Sequence, residues 1–168
     1  GADQDGRGSS ADAKALYATA LYKQGNAAAA RLIADEILAD DKNNIDALLV
    51  RSRISLQQRD LNAALNDAQI VVRDFPMSEQ GRILLAEIYL ARKDPQRAKQ
   101  TYEEAGSENP QSIAISRAYT QYLLKTGNAA RAIDVARTFT RKSPSSVPGW
   151  DLLANVCKQA ANSGCIAQ

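Results

Sequence analysis

The chain has 168 residues, 45% of them hydrophobic and 24% charged, which is too apolar for an intrinsically disordered protein and enough for one domain or a short array of repeats. Lys and Arg number 21 against 19 Asp and Glu, so the net charge of +2 gives no reason to expect nucleic-acid binding. No run of about eighteen apolar residues is present, so no segment reads as a membrane-spanning helix, and none reads as a secretory signal.

Residues 1–10, GADQDGRGSS, are polar and rich in Gly and Ser and read as a flexible leader. From Ala11 onward the chain is periodic. Ala30, Ala64, Ala98 and Ala132 stand 34 residues apart, and a fixed period of that length means stacked copies of one small unit. The repeats run 11–44, 45–78, 79–112 and 113–146, and a fifth begins at Val147 and stops short. Each reads as two helices joined by a tight turn. The last position of each repeat holds Asn44, Ser78, Ser112 or Ser146, residues that cap the start of the next helix. The sixteenth position holds Asn26, Asp60, Asp94 or Asn128, which predicts a cap on each second helix, with Pro95 suited to the first helical position in the third repeat. Gly25 and Gly127 precede two of these caps, where a helix end calls for a left-handed residue. Pro76, Pro110 and Pro144 stop the second helices of repeats two to four.

The apolar spacing of three and four residues predicts helices and not strands. Small residues fill the eighth position (Ala18, Ser52, Ala86, Thr120, Ala154) and face the four periodic alanines. Tyr17, Leu85, Tyr119 and Leu153 at the seventh position, with Ile37, Val71 and Phe139 at the twenty-seventh, are the expected bulk of the core. Residues 147–161 read as a capping helix, with Trp150, Leu153 and Val156 turned inward and Asp151, Asn155, Lys158 and Gln159 outward; 162–168 read as a tail. The prediction is an all-α solenoid of about nine helices.

At these residues the chain resembles the tetratricopeptide repeat family. The third repeat carries Leu85, Ala86, Tyr89, Ala98, Tyr102, Ala105 and Pro110, nearly the whole family pattern, and the fifth opens with Trp150, Leu153 and Ala154. Tyr22-Lys23-Gln24-Gly25-Asn26 matches a typical turn between the two helices. The resemblance covers residues 11 to about 161. Arg51 and Ser55 depart from it at apolar core positions, as do Lys14 and Lys42 in the first repeat.

What the resemblance implies is a right-handed superhelix whose first helices line a concave groove that binds a partner. Carried onto this chain, the groove holds Thr19, Tyr22, Lys23, Leu49, Arg53, Leu56, Ile83, Glu87, Leu90, Arg117, Gln121, Leu124 and Lys125. Leu49, Ile83, Leu90 and Leu124 form an apolar stripe that either anchors a peptide or only packs between neighbouring helices. Arg53, Arg117 and Lys125 suit a backbone carbonyl or carboxylate. The two-carboxylate clamp of chaperone-binding members is absent: its places hold Ala15, Thr19, Val50, Gln80 and Leu84, or, one repeat on, Leu49, Arg53, Leu84, Ala114 and Ala118.

The chain has no histidine, no Gly-rich phosphate loop and no metal-spaced cysteine cluster, so neither catalysis nor a metal or other cofactor is expected. Asp40-Asp41 and Glu103-Glu104 read as solvated charges at helix ends. Cys157 and Cys165 allow two readings, a small buried hydrophobe beside a free thiol, or a disulfide that staples the last helix to the segment after it and implies an oxidising compartment. The expected function is a non-catalytic adaptor, monomeric, that holds a peptide segment or protein partner. The Ala- and Arg-rich repeats, polar leader and terminal cysteines resemble bacterial cell-envelope members serving pilus assembly, secretion or exopolysaccharide export, with a cytoplasmic location as the alternative. Two other functions stand beside it: self-association, and a glycan- or anionic-surface module using residues 113–168, where seven bases face two acids.

Overall fold

The structure, a computed structural model, describes residues 4–161 and Cys165, and for residues 4–9 the backbone alone. Among the described residues there are nine helices and no strand: α1 (Gln4–Lys23), α2 (Ala27–Asp40), α3 (Ile45–Gln57), α4 (Leu61–Asp74), α5 (Glu79–Ala91), α6 (Pro95–Glu108), α7 (Ile113–Lys125), α8 (Ala129–Lys142) and α9 (Val147–Gln159). The fold is an all-α helical repeat in the 34-residue register. One feature departs from the sequence reading: α1 starts at Gln4, inside the expected leader, although Gly6 and Gly8 are poor helix formers, because adding residues to a formed helix is easier than starting one. The helices divide into two compact bodies, one ending at Ala98 and one beginning at Lys99. The rest of the expected tail, apart from Cys165, lies outside the described residues.

The helix starts form as their residues dictate. The side chains of Asn44, Ser78, Ser112 and Ser146 each accept a hydrogen bond from the backbone N–H three residues on, at 3.1–3.2 Å. Asn26, Asp60 and Asp94 do the same for α2, α4 and α6. Asn128 departs from the expectation: its carbonyl accepts from Ala132, but its side chain, open to water, makes no cap. The turn before each of these caps has one left-handed residue. It is Gly25 (φ 84°) and Gly127 (φ 76°), as expected, but Arg59 (φ 65°) and Lys93 (φ 61°) in the two repeats between. A side chain there costs about 1–2 kcal/mol, partly offset by the greater freedom glycine loses on folding. Lys93 is exposed. Lys93→Gly should therefore stabilise the protein by about 1 kcal/mol, seen as a higher melting temperature; a lower one would show that the turn is held by side-chain contacts instead.

In the N-terminal body the first helices pack in series, α1 on α3 and α3 on α5, with α2 and α4 each wedged against both neighbours in sequence. Ala18, Ser52 and Ala86 face the periodic Ala30, Ala64 and Ala98, and all six are fully buried. The small pairs let the helix axes approach; Ser52 also donates its hydroxyl to the Ala64 carbonyl at 2.8 Å. Tyr17 is the exception to the expected core. It is 59% exposed, with Leu16 beside it, because the face that buries Leu85, Tyr119 and Leu153 in later repeats has no preceding helix pair among the described residues.

The twenty-seventh position of one repeat meets the third position of the next, and their sizes compensate. A Cβ on Gly81 would lie 2.5 Å from Val71 Cγ1, and one on Gly149 would lie 2.5 Å from Phe139 Cε1. The same register pairs Ile37 with Ala47, and reverses the order at Ala105 and Ile115. All four of these are buried.

In the C-terminal body α7 touches α8 and α9, and α8 touches α9. Tyr102, Tyr119 and Tyr122 form a ring cluster with centroids 5.5–6.4 Å apart. On α9, Leu153 and Val156 are buried and the four polar residues exposed, as expected, but Trp150 is 46% exposed and Ala154 is exposed as well. Trp150 lies along the preceding loop, where its indole N–H donates to the Pro144 carbonyl at 2.8 Å. Among the described residues no second helix follows α9 to cover Ala154 as one covers its counterparts. The sulfurs of Cys157 and Cys165 are bonded, with Cα atoms 5.8 Å apart and both residues buried, and Arg137 donates two N–H groups to the Cys165 carbonyl.

Candidate partner-binding surface

The packing of α1, α3 and α5 puts positions nine and twelve of successive first helices on one side of the N-terminal body. Two cavities lie there. One, of about 380 Å³, is lined by Thr19, Tyr22, Lys23, Asp46, Leu49, Val50, Arg53 and Gln80. The other, of about 390 Å³, is lined by Tyr22, Arg53, Leu56, Gln57, Leu84 and Glu87. They share Tyr22 and Arg53, both half-buried. The Arg53 guanidinium is steadied by Gln80, whose Oε1 accepts from Nη2 at 2.5 Å. Two cations, Lys23 and Arg53, face two carboxylates, Asp46 and Glu87, over a floor of Leu49, Val50 and Leu84.

Seven residues of the expected groove thus meet in this body: Thr19, Tyr22, Lys23, Leu49, Arg53, Leu56 and Glu87. Ile83 and Leu90 are half-buried and line neither cavity, and Leu49 is only 6% exposed, so the leucines belong chiefly to the packing between first helices. Asp46, Val50, Gln57, Gln80 and Leu84 line the cavities as well and are not among the groove residues that the resemblance implies. In the C-terminal body Arg117, Gln121 and Lys125 are exposed on α7 and Leu124 is half-buried.

The departures at Arg51 and Ser55 have a structural basis. α2 and α4 do not pack on one another, and Arg51 spans the space between them. Its Nε and Nη2 donate to Asp67 at 2.8 and 2.9 Å, and its Nη1 donates to Asp35 at 3.1 Å. The hydrogen bond to Asp67 raises the proton affinity of the guanidinium still further, so it is charged at every accessible pH. Ser55 is buried and accepts from Arg31. Lys14, another departure, pairs with Glu36 at the surface. The same separation along the chain recurs where the Tyr119 hydroxyl donates to Glu103 at 3.2 Å, and burial holds that phenol above its usual pKa. Among the described residues no cluster of His, Cys, Asp and Glu is arranged to hold a metal.

A tetratricopeptide repeat family model matches residues 55–122 and 89–156, well over half of the chain. The chain belongs to the tetratricopeptide repeat family. No curated protein matches it in sequence. Among solved structures, this tetratricopeptide repeat chain is similar to TTC0263 of Thermus thermophilus, with 17% identity over 93% of this chain and 86% of that one and a TM-score of 0.71. PilW, described as a type IV pilus biogenesis factor, aligns at 17% identity over 93% and 72% with a TM-score of 0.68. YrrB, described as having an unusual peptide-binding site, aligns at 13% identity over 91% and 79% with a TM-score of 0.57. These likenesses carry the fold. Tetratricopeptide repeat proteins bind protein or peptide partners, and among the described residues no helix here is long and apolar enough to cross a membrane.

Proposed function

We propose that this chain is a non-catalytic interaction scaffold that holds an extended peptide segment of a partner against the first helices of its N-terminal body. The observation that carries the reading is the pair of adjoining cavities that share Tyr22 and Arg53. An extended segment running from one to the other passes the Arg53 guanidinium, which donates to its backbone carbonyls or to a carboxylate, while Tyr22 and Leu56, both half-buried, receive its side chains. Arg117, Gln121, Leu124 and Lys125 on α7 offer the same chemistry within the C-terminal body. A role in bacterial envelope assembly follows the description of PilW as a type IV pilus biogenesis factor; the periplasm as compartment and a monomer as working state belong to the same proposal. The cysteine bridge fits that setting, since disulfides persist in oxidising compartments.

Panning a peptide library on the purified protein, then measuring the selected peptides by fluorescence polarisation, tests this. Arg53→Ala should weaken binding about tenfold or more with the melting temperature unchanged. Selected peptides that bind the variant as tightly as the parent would remove the groove from the account.

A further inference from the structure

The C-terminal body has a cavity of about 350 Å³ bounded by α6 and α8 with α7 beneath. Gly106 helps to open it. The twenty-eighth position holds Leu38, Val72 and Thr140 in the other repeats and Gly106 in the third. A Cβ added to Gly106 would meet nothing within 4 Å, and Gly106 lines the cavity. Glycine inside a helix weakens it relative to alanine, and here no close approach of another group requires it. The walls are apolar at depth, with Ile115, Tyr119, Val135 and Phe139. The rim is charged but mostly self-satisfied: Arg131 pairs with Asp134, and Glu103 accepts from the Tyr119 hydroxyl and lies 3.9 Å from Lys99. Lys142, also on the rim, is exposed and makes no ion pair among the described residues.

We propose that this cavity is a second recognition site, separate from the first-helix surface, that takes one aliphatic or aromatic side chain of a protein partner with a carboxylate next to it. The apolar side chain occupies the open space beside Gly106, at the register position where the first repeat has Leu38, and the carboxylate meets Lys142. Burying an apolar side chain supplies the attraction, and Lys142, the rim cation outside the Arg131–Asp134 pair, sets which flanking residue is accepted.

Two dipeptides, N-acetyl-Leu-Glu-amide and N-acetyl-Leu-Lys-amide, titrated at millimolar concentration into the full ¹⁵N-labelled chain test the site. The Glu peptide should shift the amides of Gly106, Ser107 and Thr138 and bind about fivefold more tightly than the Lys peptide. Gly106→Leu, which supplies the missing side chain from within, should raise the melting temperature and abolish those shifts. Lys142→Ala, at an exposed position that leaves the core untouched, should bring the Glu peptide down to the affinity of the Lys peptide. The proposal is overturned if the parent protein shows no shifts at these amides, if the two peptides bind equally, or if both variants bind the Glu peptide like the parent.

Discussion

Arg51→Leu should destabilise the N-terminal body by about 3–5 kcal/mol, a large effect for an arginine at a position where its family favours an apolar residue. The reason lies in its partner. Asp67 is 2% exposed, and both of its carboxylate oxygens accept from the one guanidinium. Leucine suits the helix and the register, but it leaves a buried carboxylate without hydrogen bonds. The contact with Asp35 adds little, since that carboxylate is half open to water. The double variant Arg51→Leu/Asp67→Leu should recover most of the loss, because replacing both partners of a buried ion pair by apolar groups is often neutral. Hydrogen exchange locates the effect: protection should fall in α2, α3 and α4 and persist in α7, α8 and α9, as expected where stability is built from nearest-neighbour packing. A loss below about 1 kcal/mol would mean that water reaches Asp67 and that the pair is an ordinary surface bridge.

That pair also marks where the sequence stops being legible. The helices, their caps and their phase follow from residue identity at fixed spacing, and each of these is a local property. Capping depends on one side chain and the next turn of backbone, and the small Ala18–Ala30 type of pair depends on two positions of one repeat. Properties set by a neighbouring repeat are harder to read. Tyr17 and Tyr119 are the same residue at the same position, yet one is exposed and the other buried, because among the described residues only Tyr119 has a helix pair before it. Arg51 reads as a defect until Asp67, sixteen residues on, is seen across the helical hairpin. Arg59 and Lys93 carry no glycine signal for the left-handed turn they adopt. At the candidate surface the register selected the inward positions, but depth decided their roles. Leu49 and Arg53 lie one helical turn apart; the first became core and the second stayed within reach of a ligand.

Gly149→Ile should destabilise the C-terminal body by about 3 kcal/mol. The new Cβ alone would stand 2.5 Å from Phe139 Cε1 and 2.7 Å from Cδ1, on a ring that is itself buried. The backbone cannot yield easily, because the Gly149 N–H caps onto Ser146 Oγ at 3.2 Å and fixes the start of α9. Phe139→Ala by itself should cost about 3–5 kcal/mol, through lost burial and the cavity left behind. The two changes together should cost less than their sum, with a coupling of about 2 kcal/mol. The double variant sets alanine at position twenty-seven against isoleucine at the next position three, the combination the protein already uses at Ala105 and Ile115. Urea denaturation of the parent, both single variants and the double completes the cycle. Additive losses would mean that each repeat boundary is packed in its own way and that the size exchange between these two positions is coincidence. Strong coupling would establish that the boundary tolerates either order of large and small, provided that the total volume is kept.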